Sequence, residues 1–294
     1  MNTSNNSEIP IQTQALRIAI QGVEGSYHEL AARQFFGPDI ELVCCDSFPE
    51  LFRNLKKPST DFAVAAIENS VAGTILPNYA LMRDSGYSII GEAYLRISHM
   101  LMALPGTSLA DIREVHSHPM ALQQCLGFLG TLPGIRLVES DDTAASAERI
   151  ATNQREGIAA IAGRHAAEKY GLEIIAQAIE DDPGNFTRFF VLGPEEAKEK
   201  FFQKPDKASL CFSLRHSVGS LAQILMVLSA HGMNLTKIQS SPMVGKAWEY
   251  FFHLDLEFEE YDQYQRSLAS IRSLVSDFKI IGEYPKAHKT PQDQ

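Results

Sequence analysis

The chain has 294 residues, 45% hydrophobic and 21% charged, a globular composition long enough for two or three domains. Its 26 basic and 36 acidic residues give a formal charge of −10, which excludes a general nucleic-acid binder but not a small anionic ligand held by local donors. No apolar run reaches bilayer length, and the four cysteines lack metal-ligand spacing, so they read as reduced thiols of a cytoplasmic protein. Residues 1–14 are polar, lack the apolar core of a signal peptide, and read as a disordered lead-in.

Residues 16–21 form the first predicted strand. Gly22 and Gly25 bracket a tight turn, and Ser26-Tyr27-His28-Glu29 is a capping box that opens a helix ending near Gly37-Pro38. A strand at 41–45, a helix opened by Ser47-Phe48-Pro49-Glu50 and running to about 56, and an apolar strand at 62–67 complete a β-α-β-α-β order. That order predicts a doubly wound sheet. Segments 87–93 and 96–104 are strand-like and can cross between two lobes. There follow a strand at 114–116, a helix capped by Ser117 and running to about 129, and a strand at 135–139. A helix capped by Asp142, a strand at 157–162, a helix at 164–170 stopped by Gly171, and strands at 174–178 and 188–192 finish this part.

Gly193-Pro194 and the charged run behind it mark a boundary. The expected organisation is a two-lobed domain over 15–194, a linker over 195–206, a small module over 207–285 and a tail over 286–294. In the module, strands at 208–214, 235–240, 248–257 and 278–284 alternate with helices at 220–230 and 261–277 in βαββαβ order. This is the ferredoxin-like arrangement, whose free edge or face often pairs with a second copy.

In open parallel sheets, ligands sit beyond the carboxyl ends of strands, where helix N-termini favour anions. Glu68-Asn69-Ser70, Ser117-His118-Pro119 and Asp142-Thr143 all fall at such ends. Asn185-Phe186-Thr187-Arg188-Phe189 adds a hydroxyl beside a fixed cation. Singly, each has a structural reading, Ser117 and Asp142 as helix caps, His118 as structural and Thr187 as a β-former. Together they point to one anion-binding cleft between two lobes.

These runs, in this order, resemble the prephenate dehydratase family over nearly the whole chain. Gly22-Val23-Glu24-Gly25-Ser26-Tyr27, Ile67-Glu68-Asn69-Ser70-Val71-Ala72-Gly73, Ser117-His118-Pro119 through Cys125, Asp142-Thr143-Ala144 and Asn185-Phe186-Thr187-Arg188-Phe189 carry the resemblance. The module resembles an ACT regulatory domain through Gly219-Ser220-Leu221 and the run from Gly232 to Pro242. The resemblance implies a two-lobed catalytic domain of periplasmic-binding-protein type followed by a ferredoxin-like ACT domain. It implies conversion of prephenate to phenylpyruvate for phenylalanine biosynthesis. Aromatisation drives that reaction, so no redox cofactor or metal is needed.

By the same resemblance Thr187 is the catalytic donor. Asn69, Ser70, Ser117, Gln124, Thr143 and Phe189 bind substrate, and Arg188 is expected to hold its pyruvate end. Glu68 orients Asn69 or a helix end, or meets a substrate hydroxyl. Gly219, Leu221, Asn234, Leu235, Ser240 and Pro242 are expected to take phenylalanine as inhibitor, in ACT modules paired as dimers or tetramers. The family's usual residues are replaced at Met120, Ser220, Gln239 and Ser241. No chorismate mutase segment is expected before Leu16. The alternatives are arogenate dehydratase and a non-catalytic amino-acid sensor.

Overall fold

The computed structural model describes residues 15–202, 204–214, 217–243 and 249–287. The expected lead-in, Trp248 and most of the expected tail lie outside them. The first lobe runs β1 (Leu16–Gln21), α1 (Tyr27–Phe36), β2 (Ile40–Cys45), α2 (Phe48–Leu55), β3 (Phe62–Asn69), β4 (Gly73–Thr74), α3 (Leu76–Ser85) and β5 (Ser88–Arg96). β1 pairs in parallel with both β2 and β3, which is the doubly wound core expected. β3 is apolar from Phe62 to Ile67 because helices cover both its faces. Val64 and Ala66 pack in the cluster that includes α1, Ala65 and Ile67 in the cluster that includes α2 and α3. Helix α3 was not among the expected elements: Ile75 at its N-cap makes no side-chain capping bond, and only Pro77 in its first turn and the left-handed Gly86 behind it mark its ends.

The second lobe follows as β6 (Met100–Ala103), β7 (Glu114–Ser117), α4 (Pro119–Gln123), α5 (Leu126–Leu129), β8 (Arg136–Glu139), α6 (Thr143–Asn153), β9 (Ile158–Ala162), α7 (Arg164–Tyr170) and β10 (Glu173–Ala176). Its sheet order is β10-β6-β9-β7-β8. The single helix expected after Ser117 is two short helices that break at Cys125. The first is capped by His118, whose Nδ1 accepts from the Met120 N–H, and not by Ser117; the second starts from Cys125 without a side-chain cap. The chain then returns to the first lobe as β11 (Phe186–Gly193), antiparallel to both β3 and β5. The two crossings are tied together: Ile97 N–H donates to Asn185 O at 2.7 Å and Ile179 N–H to His99 O at 3.0 Å.

The module is β12 (Lys207–Ser213), α8 (Ser220–Ala230), β13 (Asn234–Pro242), β14 (Tyr250–Glu257), α9 (Tyr261–Arg272) and β15 (Ser276–Tyr284). Its strands lie in the order β15-β12-β14-β13, the ferredoxin-like arrangement. The helix expected to reach 277 stops at Arg272, and β15 begins at Ser276. Within the expected linker, Glu195–Lys200 forms a 3-10 turn. β15 also meets β5 at Gly282 and Ile89, so the module continues the first lobe's sheet. Only glycine permits that approach: a Cβ on Gly282 would lie 2.4 Å from the Ile89 carbonyl oxygen.

Candidate active site

A cavity of about 570 Å³ opens between the lobes. Four helix N-termini face it. Ser26 caps α1, Ser47 caps α2, Asp142 caps α6 and His118 caps the short α4, and all four residues line the cavity. Among the described residues no lysine or arginine lines it, and Asp46, Asp141 and Asp142 do. An anion bound here is therefore met by backbone N–H groups and helix dipoles, with no fixed side-chain cation. Burial pushes the Asp142 carboxyl above its ordinary range, against the pull of the Ala145 and Ala144 N–H groups.

The lobes touch beside this cavity. A Cβ on Gly22, where φ is +94°, would come within 2.9 Å of Asp142 Oδ2. The glycine turn expected after β1 thus serves both a left-handed backbone and close approach to the opposite lobe. Glu24 in the same turn pairs with Lys169 of α7, and Tyr170 donates its hydroxyl hydrogen to the Glu24 carbonyl at 2.5 Å.

Thr187 and Phe189 project from β11 into the cavity, and Asn69 joins them from the end of β3. Asn69 Oδ1 accepts from the Val71 and Ala72 N–H groups, so its Nδ2 faces the other way and donates to Thr187 Oγ1 at 3.0 Å. With an incoming bond on its oxygen, Thr187 keeps its own hydrogen for the cleft. Gln124 and Thr143 also line the cavity, from the end of α4 and the first turn of α6.

Four residues expected in the cleft are elsewhere. Side chains alternate along a strand, so Arg188 points to the opposite face of β11 from Thr187. There it is 4% exposed and pairs with Glu92 at 2.7 Å, with Asp255 of β14, and with the Tyr284 hydroxyl at 3.2 Å. Lys207 joins the cluster at 3.0 Å from Glu92 and 3.7 Å from Glu257, and Arg188 also lies 4.0 Å from Glu68, so the ion pairs extend from the first lobe into the module. Glu68 joins that face because of a β-bulge. Arg188 pairs with Glu68 but Phe189 with Ala66, which leaves Ile67 as the extra residue. Glu68 therefore meets Lys237 of β13 at 2.6 Å and not the cleft. Ser117 is fully buried and donates to the Ile161 carbonyl at 2.6 Å, binding β7 to β9. Ser70 donates to the Gly184 carbonyl and accepts from Phe186 N–H, fastening the return crossing.

The structure adds residues that the sequence reading did not single out. His28 lines the cavity, packs edge-on against Phe189 at 5.1 Å and accepts the Ala66 N–H at 3.2 Å. Burial lowers its pKa to about 4, so it is neutral. His99 lies at the first crossing with its Nε2 3.0 Å from Gln124 Oε1, and burial lowers its pKa too. His28 sat inside a readable capping box, which masked it; His99 carries no spacing signal at all. In the module, Gly219 takes φ +83° ahead of α8, at the end where Ser240 and Pro242 close β13. Asn234 and Leu235 start β13 at the other end.

A profile of the prephenate dehydratase family matches residues 18–197. The chain belongs to this family. It is 36% identical over 285 residues to arogenate dehydratase/prephenate dehydratase 1 of Arabidopsis thaliana, covering 92% of this chain and 72% of that protein. It is 32% identical over 287 residues to the bifunctional chorismate mutase/prephenate dehydratase of Escherichia coli K12, covering 96% and 74%. Among solved structures, a prephenate dehydratase of Arthrobacter aurescens in complex with L-Phe superposes with a TM-score of 0.81 at 25% identity, covering 95% of this chain and 94% of that one. A structure described as GqqA, a novel type of quorum quenching acylase, superposes with a TM-score of 0.82 at 31% identity, covering 95% and 100%. The family's fold of two lobes and a cleft is the one described above. Among the described residues, no helix is long and apolar enough to cross a membrane.

Proposed function

We propose that this chain converts prephenate to phenylpyruvate, carbon dioxide and water. The observation that carries the reading is the Thr187 hydroxyl, held by Asn69 with its hydrogen free for the cleft. In this reaction the ring carboxylate leaves as carbon dioxide. Its bonding electrons enter the ring and expel the hydroxyl at the opposite position, which departs as water once protonated. Thr187 donates a hydrogen bond to that departing oxygen as charge grows on it. Threonine is a weak acid, so its contribution is oriented donation; the proton is finally made good from solvent.

The helix-terminal lining fits this chemistry. An arginine clamped on the ring carboxylate would stabilise the charge that must be lost and slow the reaction. Helix N-termini at α1, α2 and α6 hold the anion more softly. Apolar walls at Phe48, Ile97 and Phe189 suit a carboxylate about to shed its charge.

Arogenate differs only in carrying an amino group where prephenate has a keto group, and the Arabidopsis relative is described with both activities. Assays of the purified protein with each substrate decide between them. The account predicts a higher kcat/KM for prephenate. Preference for arogenate would reassign the substrate, and turnover of neither would leave an amino-acid sensor.

We further propose that the module is an ACT domain that binds phenylalanine as feedback inhibitor. The complex of the Arthrobacter protein with L-Phe supports this. Gly219 and Leu221 stand at the opposite end of β13 from Asn234 and Leu235, so a site using both sets is completed by a second copy, as a dimer or tetramer. At a hundredfold excess over its Kd, phenylalanine raises stability by about 2.7 kcal/mol. A melting curve unmoved by saturating phenylalanine would remove this control.

A further inference from the structure

A chain of four amide and imidazole groups runs from the catalytic strand into the second lobe, and its polarity is fixed at one end. The Val71 and Ala72 N–H groups donate to Asn69 Oδ1 at 3.0 and 2.7 Å. Asn69 Nδ2 must therefore face Asn185 Oδ1, at 2.7 Å, as well as Thr187 Oγ1. That turns Asn185 Nδ2 toward Gln124, whose Oε1 accepts from it at 3.0 Å. The same Oε1 lies 3.0 Å from His99 Nε2, so His99 carries its hydrogen on Nε2. Asn185 is 1% and His99 2% exposed, so water does not substitute for these partners.

We propose that Asn185 is a positioning residue for the dehydration. The Val71 and Ala72 N–H groups already fix the Asn69 amide; Asn185 passes that polarity on to Gln124, holding Gln124 Oε1 toward itself and His99 and leaving Gln124 Nε2 for the cleft that it lines. Gln124 comes from the second lobe, Asn185 from the return crossing, and Asn69 and Thr187 from the first lobe. The chain of bonds is therefore complete only when the lobes stand as they do here. The proposal rests on the reading of this cleft as the prephenate site.

Asn185→Asp tests it, because the side chain keeps its size and still accepts from Asn69 but no longer donates to Gln124. Gln124 then turns its own Nε2 toward the introduced carboxylate and His99, and His99 must move its hydrogen to Nδ1. Nitrogen NMR of the His99 ring is expected to report Nε2–H in the wild type and Nδ1–H in the variant. In the same variant kcat/KM is expected to fall about tenfold to a hundredfold, because Gln124 then turns an oxygen to the cleft in place of its N–H donor, while Asn69 and Thr187 keep their bond. A wild-type His99 protonated on Nδ1 overturns the relay, and that measurement needs neither the variant nor a substrate. It therefore stands apart from the identity of the substrate. An unchanged kcat/KM in folded Asn185→Asp also overturns the proposal.

Discussion

The two faces of β11 do different work with neighbouring residues. Thr187 and Phe189 face a cavity lined by helix N-termini, with no lysine or arginine among the described residues of its wall. Arg188 and Phe190 face a buried interface with the module, where Arg188 lies 4.5 Å over the Phe190 ring and pairs with Glu92 and Asp255. The hydroxyl that reads as a reacting group and the cation that reads as its companion are thus separated by the sheet. A run of polar residues on a strand is two sets, not one. The set facing the module sees charges that burial strengthens and isolates.

Arg188→Ala breaks the module face most severely. It leaves Asp255 buried without its cation and Glu92 with Lys207 alone, an expected cost of about 3–5 kcal/mol, read as a fall in the urea midpoint. Were Arg188 a substrate ligand instead, the variant would show a large rise in KM with its stability intact.

The histidines sharpen the comparison, because one sits on each face. Burial lowers both His28, beside Phe189, and His253, 4.9 Å from the Tyr79 ring, to a pKa of about 4. Unfolded histidine titrates near 6.5. As pH falls from about 6.5 to about 4, the unfolded chain takes protons that the folded chain refuses, so stability declines across that window. Each histidine contributes a slope of up to about 1.4 kcal/mol per pH unit. Urea midpoints between pH 7 and pH 4.5 measure the slope. His28→Gln and His253→Gln are each expected to flatten it by one proton, and an unaltered slope would mean that the histidine is charged when folded.

Lys237→Ala is the mildest test. Its partner Glu68 is partly exposed, with 36% of its side-chain surface accessible, so the pair is worth about 0.2–1 kcal/mol. A loss above about 2 kcal/mol would show that this contact belongs to the buried cluster and not to its rim.

The sequence showed much of this directly. The Asp142 cap, the span of α8, the stop at Gly171 and the βαββαβ order rest on local signals, and the structure has them. The opposite facing of Thr187 and Arg188 was also within reach, since a strand has a period of two; reading the pair as one anion site ignored it. The side taken by Glu68 was not legible, because it depends on the bulge at Ile67, which no turn residue announces. Nor was His99: its partners Gln124 and Glu180 lie 25 and 81 residues away and meet it only where the chain crosses between lobes. Ser117 had every local mark of a cap, yet its hydroxyl reaches the Ile161 carbonyl on a neighbouring strand.

The most direct test is Thr187→Ala, with kcat, KM and unfolding midpoint measured on the same preparation. The account predicts that kcat for phenylpyruvate formation falls by about 10²–10³, while KM and stability change little, because the lost group donates in the transition state and packs against an open cavity. A kcat within threefold of the wild type would contradict it.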